Sequence, residues 1–487
     1  MAGLRQWSRR SVLSTALAAG VVGAVPALAG DPVAEVVVLG AGIAGLSAAL
    51  TLHDAGIRPL VLEGSGRLGG RIFSTTGEIA PDLVQERGGA FINSDHADMR
   101  ALAERFGLSL FDRVADERAH RQTPRTAFQF EGQRIPEAEL ADRLRPLAKA
   151  MRHDARRLRR RYDRVARDLD GQSVTDYLDA FGDLDPAARA LCEAVIRSDY
   201  GVEPSASSAL ELLYALPRVR GRHVTALSES DERYTVIGGN QRVCEAMARA
   251  LPEGAIRRHA WVSAIEERPD DFAIQLRDGE VVRARHVIAT IPFPVLRQLS
   301  LSFRPPEPSA LLAAIARHRL GRNEKVVLGV DGRVWQRSDG FRAELWSDRG
   351  LVWEASRLQP DHAIAALTVY LGGDQVDVLD APLDARSLAA TFAPAVPGLR
   401  DALTGTSLVT RWRDNPFSLG AYTSFPPGVL THRDHVAWTE DGPANVACRG
   451  FLVAGEHVSD TWYGYMNGGA ETGRRAAEAI IARRLDA

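Results

Sequence analysis

The chain has 487 residues, 45% of them hydrophobic, and a formal charge of −2 at pH 7. That is ample for a globular body with two cores, and the balanced charge argues against a polyanion partner. Three cysteines, Cys192, Cys244 and Cys448, lie far apart with no CxxC spacing, which argues for buried thiols and against a disulfide framework or a metal site.

Residues 1–29 read as an export leader. Arg5, Arg9 and Arg10 come without an acid, a modest apolar stretch runs from Val12 to Val25, and Ala27-Leu28-Ala29 offers a small-x-small cleavage site. Ser8-Arg9-Arg10-Ser11-Val12-Leu13 has the form of a twin-arginine signal. Ser14, Thr15 and several glycines interrupt the apolar run, so no stable membrane span is expected. The expectation is an exported protein, periplasmic or secreted, that uses the twin-arginine machinery and crosses already folded.

The mature chain opens on a β-branched run, Val36 to Leu39, read as a buried parallel strand. Gly40-x-Gly42-x-x-Gly45 follows as the turn into a helix that contains Ile43 and Ala44. Gly40 permits the tight turn, Gly42 lets backbone approach a pyrophosphate, and Gly45 lets helix pack on strand. The phosphates are expected at the helix N-terminus, where free N–H groups and the dipole favour negative charge. A second strand, Arg58 to Leu62, ends at Glu63, the position from which an acid grips a ribose hydroxyl. That acid favours FAD or NAD over NADP. Further on, Glu86-Arg87-Gly88-Gly89-Ala90-Phe91 is a Gly-rich turn that brings backbone close to a ligand.

Helical periodicity dominates residues 137–216, and eight arginines lie between Arg152 and Arg167. Interleaved aspartates and the lack of an aromatic ladder make that stretch a solvated helix face and not a nucleic-acid surface. Thr235 opens a helix that ends near Leu251, and strands follow over 260–266, 272–276 and 281–289, with a turn at Asp278-Gly279. Residues 324–371 read as further strands. Gly450 to Glu456 reads as a last buried strand before a loop and a helix over 468–485. The expected fold is α/β. A Rossmann-type domain is assembled from 31–115, 233–298 and 411–487. An inserted α+β domain comprises 116–232, mainly helical, and 299–410, mainly sheet.

At Gly66-Arg67-Leu68-Gly69-Gly70-Arg71 the chain resembles the flavin-containing amine oxidases, the family of the monoamine and polyamine oxidases, and the resemblance covers nearly all of the mature chain. It implies FAD as cofactor, with Arg71, Gly89, Ala90 and Val262 among its contacts. In Gly321-Arg-Asn-Glu-Lys325 it implies that Lys325 holds a water against flavin N5. Of 60 basic residues only Lys149 and Lys325 are lysines, and a compact ammonium is not interchangeable with a guanidinium at close quarters.

The stretch Trp412 to Gly428 looks like the monoamine oxidase segment in which a cysteine bonds the flavin and a cage tyrosine follows. Here those positions are Ala421 and Tyr422, so the FAD is expected to be non-covalent. Gly455-Glu456-His457 through Trp462-Tyr463-Gly464-Tyr465-Met466 to Arg474 is similar to the family's closing signature. It implies Glu456 on a ribityl or ribose hydroxyl, the Met466 N–H near the pyrimidine edge, and Tyr465 as the second cage tyrosine.

The resemblance thus implies oxidation of an amine C–N bond to an imine, with dioxygen reduced to peroxide or electrons passed to a redox protein. The alternative is a periplasmic amine or L-amino-acid dehydrogenase. An amino acid is disfavoured because Phe91-Ile92-Asn93, and no arginine, follows Gly89-Ala90. For a polyamine, Glu203 or Glu211 are the candidate acids.

Overall fold

Val36, Val37, Val38 and Leu39 are at most 1% exposed, at the heart of strand β1 (Ala34–Leu39). A strand apolar on both faces must sit inside a covered sheet. β1 pairs in parallel with β2 (Pro59–Leu62) on one side and with Val281–Ala289 on the other. Ile256–Arg257 extends the sheet beyond β2, and Phe451–Val453 adds a parallel strand against Val287–Ala289. This parallel core therefore draws on three distant stretches of chain. Helix α1 (Ile43–Asp54) and the C-terminal helix Met466–Leu485 share one apolar cluster with it. The computed structural model describes residues 33–119, 125–228, 230–337, 340–357, 359 and 363–485, so the leader of residues 1–29 lies outside the described residues.

A second, largely antiparallel sheet has seven strands. Its long pair is Asn323–Asp331 with Ile364–Gly372, flanked by Leu403–Val409 and by Leu351–Glu354 and Glu344–Ser347. Its far edge comes from the mainly helical stretch 116–232, where Thr126–Phe130 and Gln133–Ile135 are strands of this sheet that were not expected. Phe128 and Phe130 pack into the helical cluster while Ala127 packs into the sheet's other cluster. A strand buried on both faces shows no alternation to read.

Helices Glu137–Arg160, Tyr162–Asp170, Val174–Asp179, Pro186–Tyr200 and Ala209–Ala215 fill the rest of that stretch. The arginines between 152 and 167 are exposed while Met151, Ala155 and Leu158 are buried, as a solvated helix face requires. Two helix starts differ from expectation. The 241–250 helix begins at Gln241 because Tyr234–Val236 pairs with Leu110–Asp112 and Gly238 and Gly239 take positive φ. The last helix begins at Met466, two residues early. Among the described residues no helix is long and apolar enough to cross a membrane, and no group of His, Cys, Asp and Glu could hold a metal ion.

Candidate active site

The C-terminal ends of the parallel strands open onto a cavity of about 740 Å³, the place where open α/β sheets take ligands. Gly40 turns the chain at φ +100°, and its N–H donates to the Leu62 carbonyl at 2.8 Å. The glycines divide by cause. A Cβ on Gly45 would lie 1.9 Å from the Gly40 carbonyl oxygen, so helix-on-strand packing alone demands glycine there. A Cβ on Gly42 would meet nothing in the chain closer than 3.7 Å. The protein does not itself need glycine at Gly42, whereas a ligand lying against its backbone would.

Helix α1 starts at Ile43 with no side-chain cap and no acid in its first turn, and Gly42, Ile43 and Ala44 line the cavity. Uncapped N–H groups facing a cavity make an anion site fit for a pyrophosphate. Glu63 is buried. It accepts from the Ala41 N–H at 2.7 Å and from the N–H and hydroxyl of Ser65 at 2.7 and 2.6 Å, which holds its carboxylate at the cavity wall. Val262 begins the strand Val262–Glu267 beside it and also lines the cavity.

Farther in, Arg71 donates to Glu456 at 2.8 Å, and the other Glu456 oxygen accepts from the Gly464 N–H at 2.7 Å. Burial pushes the Glu456 carboxyl up, but the Arg71 charge, His457 and these hydrogen bonds outweigh it and hold the carboxyl at about 2. Gly89 leaves room for the Met466 thioether, whose sulfur would lie 2.8 Å from an added Cβ. Asn240 pins the same turn by donating to the Gly89 and Ala90 carbonyls at 2.9 Å each. Glycines also seat the last helix on α1, since a Cβ on Gly473 would fall 2.0 Å from the Ala44 oxygen.

Lys325 is the third residue of Asn323–Asp331 and is 5% exposed. Its ammonium donates to the Glu86 carbonyl at 3.0 Å and the Gly88 carbonyl at 2.5 Å, and lies 5.4 Å from the Trp353 ring centre. Burial lowers its proton affinity against the opposing pull of Glu86 and Glu232. The Glu86 carboxyl is driven up by burial, against hydrogen bonds from the Asn240 N–H and the Ser74 hydroxyl.

Tyr422 and Tyr465 line the same cavity. The Tyr422 hydroxyl donates to the Ser198 carbonyl at 2.9 Å and accepts from the Tyr370 hydroxyl at 3.1 Å. The Tyr465 ring sits edge-on to His96 and Trp462, with centres 5.0 and 6.5 Å apart. Burial drives both phenols well above their ordinary range, so they stand as neutral hydroxyls. Ala421, buried beside Tyr422, offers no thiol.

The candidate acids for a polyamine lie elsewhere. Glu211 is buried with Ser207 and the Phe425 N–H on its carboxylate, and Glu203 pairs with Arg197 at 2.9 Å. Neither lines the cavity, whereas Asp199 and Glu232 do. Sequence reasoning missed both of these, together with Tyr370 and Trp353. The one signal for Asp199 was an acid in the last helical turn before Gly201, where the dipole disfavours it.

A model of the family described as flavin containing amine oxidoreductase matches residues 43–481. The chain belongs to that family. It is therefore an oxidoreductase that uses FAD, and the glycine cradle, the uncapped helix and Glu63 fit that cofactor. The chain is 24% identical over 469 residues to the flavin-containing amine oxidase A of Canis lupus familiaris, covering 92% of this chain and 85% of that one. Amine oxidase B of the same animal is 25% identical over 470 residues, covering 92% and 86%. Among solved structures, cyclohexylamine oxidase from Brevibacterium oxydans superposes with a TM-score of 0.76 at 22% identity, covering 94% of this chain and all of that one. Putrescine oxidase bound to putrescine gives 0.75 at 23% identity, covering 92% and 99%.

Proposed function

We propose that the protein oxidises the C–N bond of a neutral amine with an apolar body, releasing an imine that water hydrolyses to a carbonyl compound and ammonia or an amine. The observation that carries this reading is one continuous cavity, lined at one end by Gly42 and Glu63 and at the other by Lys325, Tyr422 and Tyr465. FAD, which Gly42, Glu63, Arg71 and Glu456 would hold, would supply the redox chemistry, by which the hydride equivalent from the amine's α-carbon and one proton from its nitrogen end on dioxygen as hydrogen peroxide.

The chain's own residues bind, orient and dry the site. Tyr422 and Tyr465 offer two neutral aromatic faces to the amine, and their anchors on Ser198, Tyr370 and His96 keep the rings from swinging. Phe91, Leu351 and Trp353 complete an apolar wall that excludes water. Lys325, with two protons on fixed carbonyls, has its remaining N–H to hold a water or an oxygen atom in the cavity.

An amino-acid substrate would need a cation for its carboxylate. Among the described residues the arginines lining the cavity are engaged, Arg71 by Glu456, Arg87 by Glu78 and Arg67 by the carbonyls of Leu68 and Ile72. The FAD is held without a covalent bond, since Ala421 stands where a thiol would be required. The twin-arginine leader directs the folded, loaded protein to the periplasm or outside the cell.

The test is an anaerobic absorbance titration of the yellow protein with aromatic and alkyl monoamines, putrescine, spermidine and L-amino acids, followed by air. Bleaching by amines alone, with colour and stoichiometric peroxide returning in air, is the expected result. Colour that returns only with an added redox protein would make the enzyme a dehydrogenase. Bleaching by no amine would sink the reading.

A further inference from the structure

An alkyl amine is an ammonium ion at neutral pH, because its proton affinity resembles that of the lysine side chain. Removing a hydride equivalent from the α-carbon requires the nitrogen lone pair, so a proton must leave the ammonium before oxidation. The proposal below rests on the oxidation reading given above: near pH 7, where little free amine exists, a proton acceptor in the cavity lets the abundant ammonium serve as substrate.

Asp199 lines that cavity from the last turn of Pro186–Tyr200. Its backbone is fixed on both sides. The Ser198 carbonyl accepts from the Tyr422 hydroxyl at 2.9 Å and from the Asn323 amide at 3.0 Å. The Gly201 carbonyl accepts from the Arg322 N–H at 2.7 Å, and a Cβ on Gly201 would fall 2.1 Å from the Asn323 side-chain oxygen. One residue thus stands between the anchor of a cage tyrosine and the strand that carries Lys325. Among the described residues its carboxyl has no hydrogen-bond or ion-pair partner. Asp199 is half-buried and faces the cavity it lines, and an unpartnered carboxylate at a helix C-terminus is opposed by the dipole, so fold stability does not explain it.

We propose that Asp199 receives the substrate as an ammonium ion and accepts its proton, presenting the neutral amine to the tyrosines. The substrate N–H bond breaks and a carboxyl O–H bond forms. No electrons change hands, and the proton passes to solvent when product leaves.

Burial, with Glu232 adding to it, pushes the Asp199 carboxyl up to about 7, close to the poise a proton acceptor needs at neutral pH. The other titratable groups around it have other commitments. Glu232 is 3.4 Å from the Arg113 guanidinium. Tyr200, Tyr370, Tyr422 and Tyr465 are held neutral by burial. Glu211 is buried and pushed far up, and Lys325 is bound to the Glu86 and Gly88 carbonyls.

The test is kcat/KM against pH for the FAD-loaded enzyme and its Asp199→Asn variant. The wild type should give a bell. It rises as Asp199 ionises near pH 7 and falls at the substrate's own pKa, because carboxylate and ammonium are both required. Asp199→Asn should show a single rise at the substrate's pKa, with a loss of tenfold or more at pH 7 that shrinks as pH rises. A second readout needs no turnover. Benzyltrimethylammonium, a permanent cation, should perturb the flavin spectrum of the wild type more tightly as pH rises through 7, and at least tenfold more weakly in the variant. A bell that survives in Asp199→Asn, or wild-type cation binding that is flat with pH, would overturn the assignment. If no amine bleaches the wild type, the oxidation reading falls, while the cation titration still judges Asp199.

Discussion

Single side chains in this cavity have separable duties. Lys325→Met removes a buried ammonium from two carbonyls. The protein should stay yellow, while flavin reduction or reoxidation in stopped flow slows at least tenfold. Leaving the Glu86 and Gly88 carbonyls unpaired should also cost about 1–3 kcal/mol in chemical unfolding. Near wild-type rates for both half-reactions would remove Lys325 from the mechanism. Glu456 makes a pH prediction. Its folded carboxyl is held at about 2, below its ordinary 4.5. Its contribution is therefore complete above about 4.5 and is lost as pH falls toward 2, amounting to about 3 kcal/mol. Urea unfolding should show Glu456→Gln less stable than wild type at pH 7, with the gap closing near pH 2–3. Ala421→Cys tests the site's geometry: acid precipitation should leave part of the flavin in the pellet, and flavin wholly in the supernatant would count against that alignment.

Among the elements, the turn from β1 into α1 was legible in the sequence because its glycines obey local rules, yet only the packed structure separates their causes. Gly45→Ala forces a side chain into the Gly40 carbonyl, so the apoprotein itself should melt several degrees lower. Gly42→Ala meets no such obstacle. Its apoprotein should melt like the wild type while its apparent FAD affinity falls at least tenfold, measured by fluorescence titration. Equal behaviour of the two variants would refute that division. The strands of the second sheet were harder to read. Asn323–Asp331 lies almost wholly within the 324–371 stretch read as strands, but Thr126–Phe130 escaped because all five of its residues are buried. The helix Pro186–Tyr200 was legible as a helix. That its last turn faces the cavity was not, since helix periodicity gives a face and no partner.

At the scale of the molecule, the cavity reaches from the nucleotide cradle to the helical part of the chain, where Tyr162 and Tyr214 line it. Tyr162 is 53% exposed and its hydroxyl lies 2.8 Å from that of Tyr214, at the junction between the arginine-rich helix and the next one. Tyr162 is thus a solvent-exposed residue of the cavity wall. Tyr162→Ala should therefore raise kcat/KM several-fold for bulky aromatic amines while leaving small alkyl amines unchanged. A uniform change across substrate sizes would place the mouth elsewhere.

The sequence by itself determined the dinucleotide cradle, because its glycines and acid lie in a short stretch whose spacing is set by a local turn, helix and strand end. The resemblance of further short motifs to the flavin-containing amine oxidases pointed to FAD, Lys325, Tyr422 and Tyr465. Tertiary structure alone decided what else enters the cavity. Asp199, Glu232, Tyr370 and Trp353 come from four separate stretches and share no motif, and Glu203 and Glu211, which looked equally suitable in the sequence, fold onto other partners. Which of several carboxylates is left unpaired depends on which cations and N–H groups the packed chain brings to the others, and that is a property of contacts across hundreds of residues.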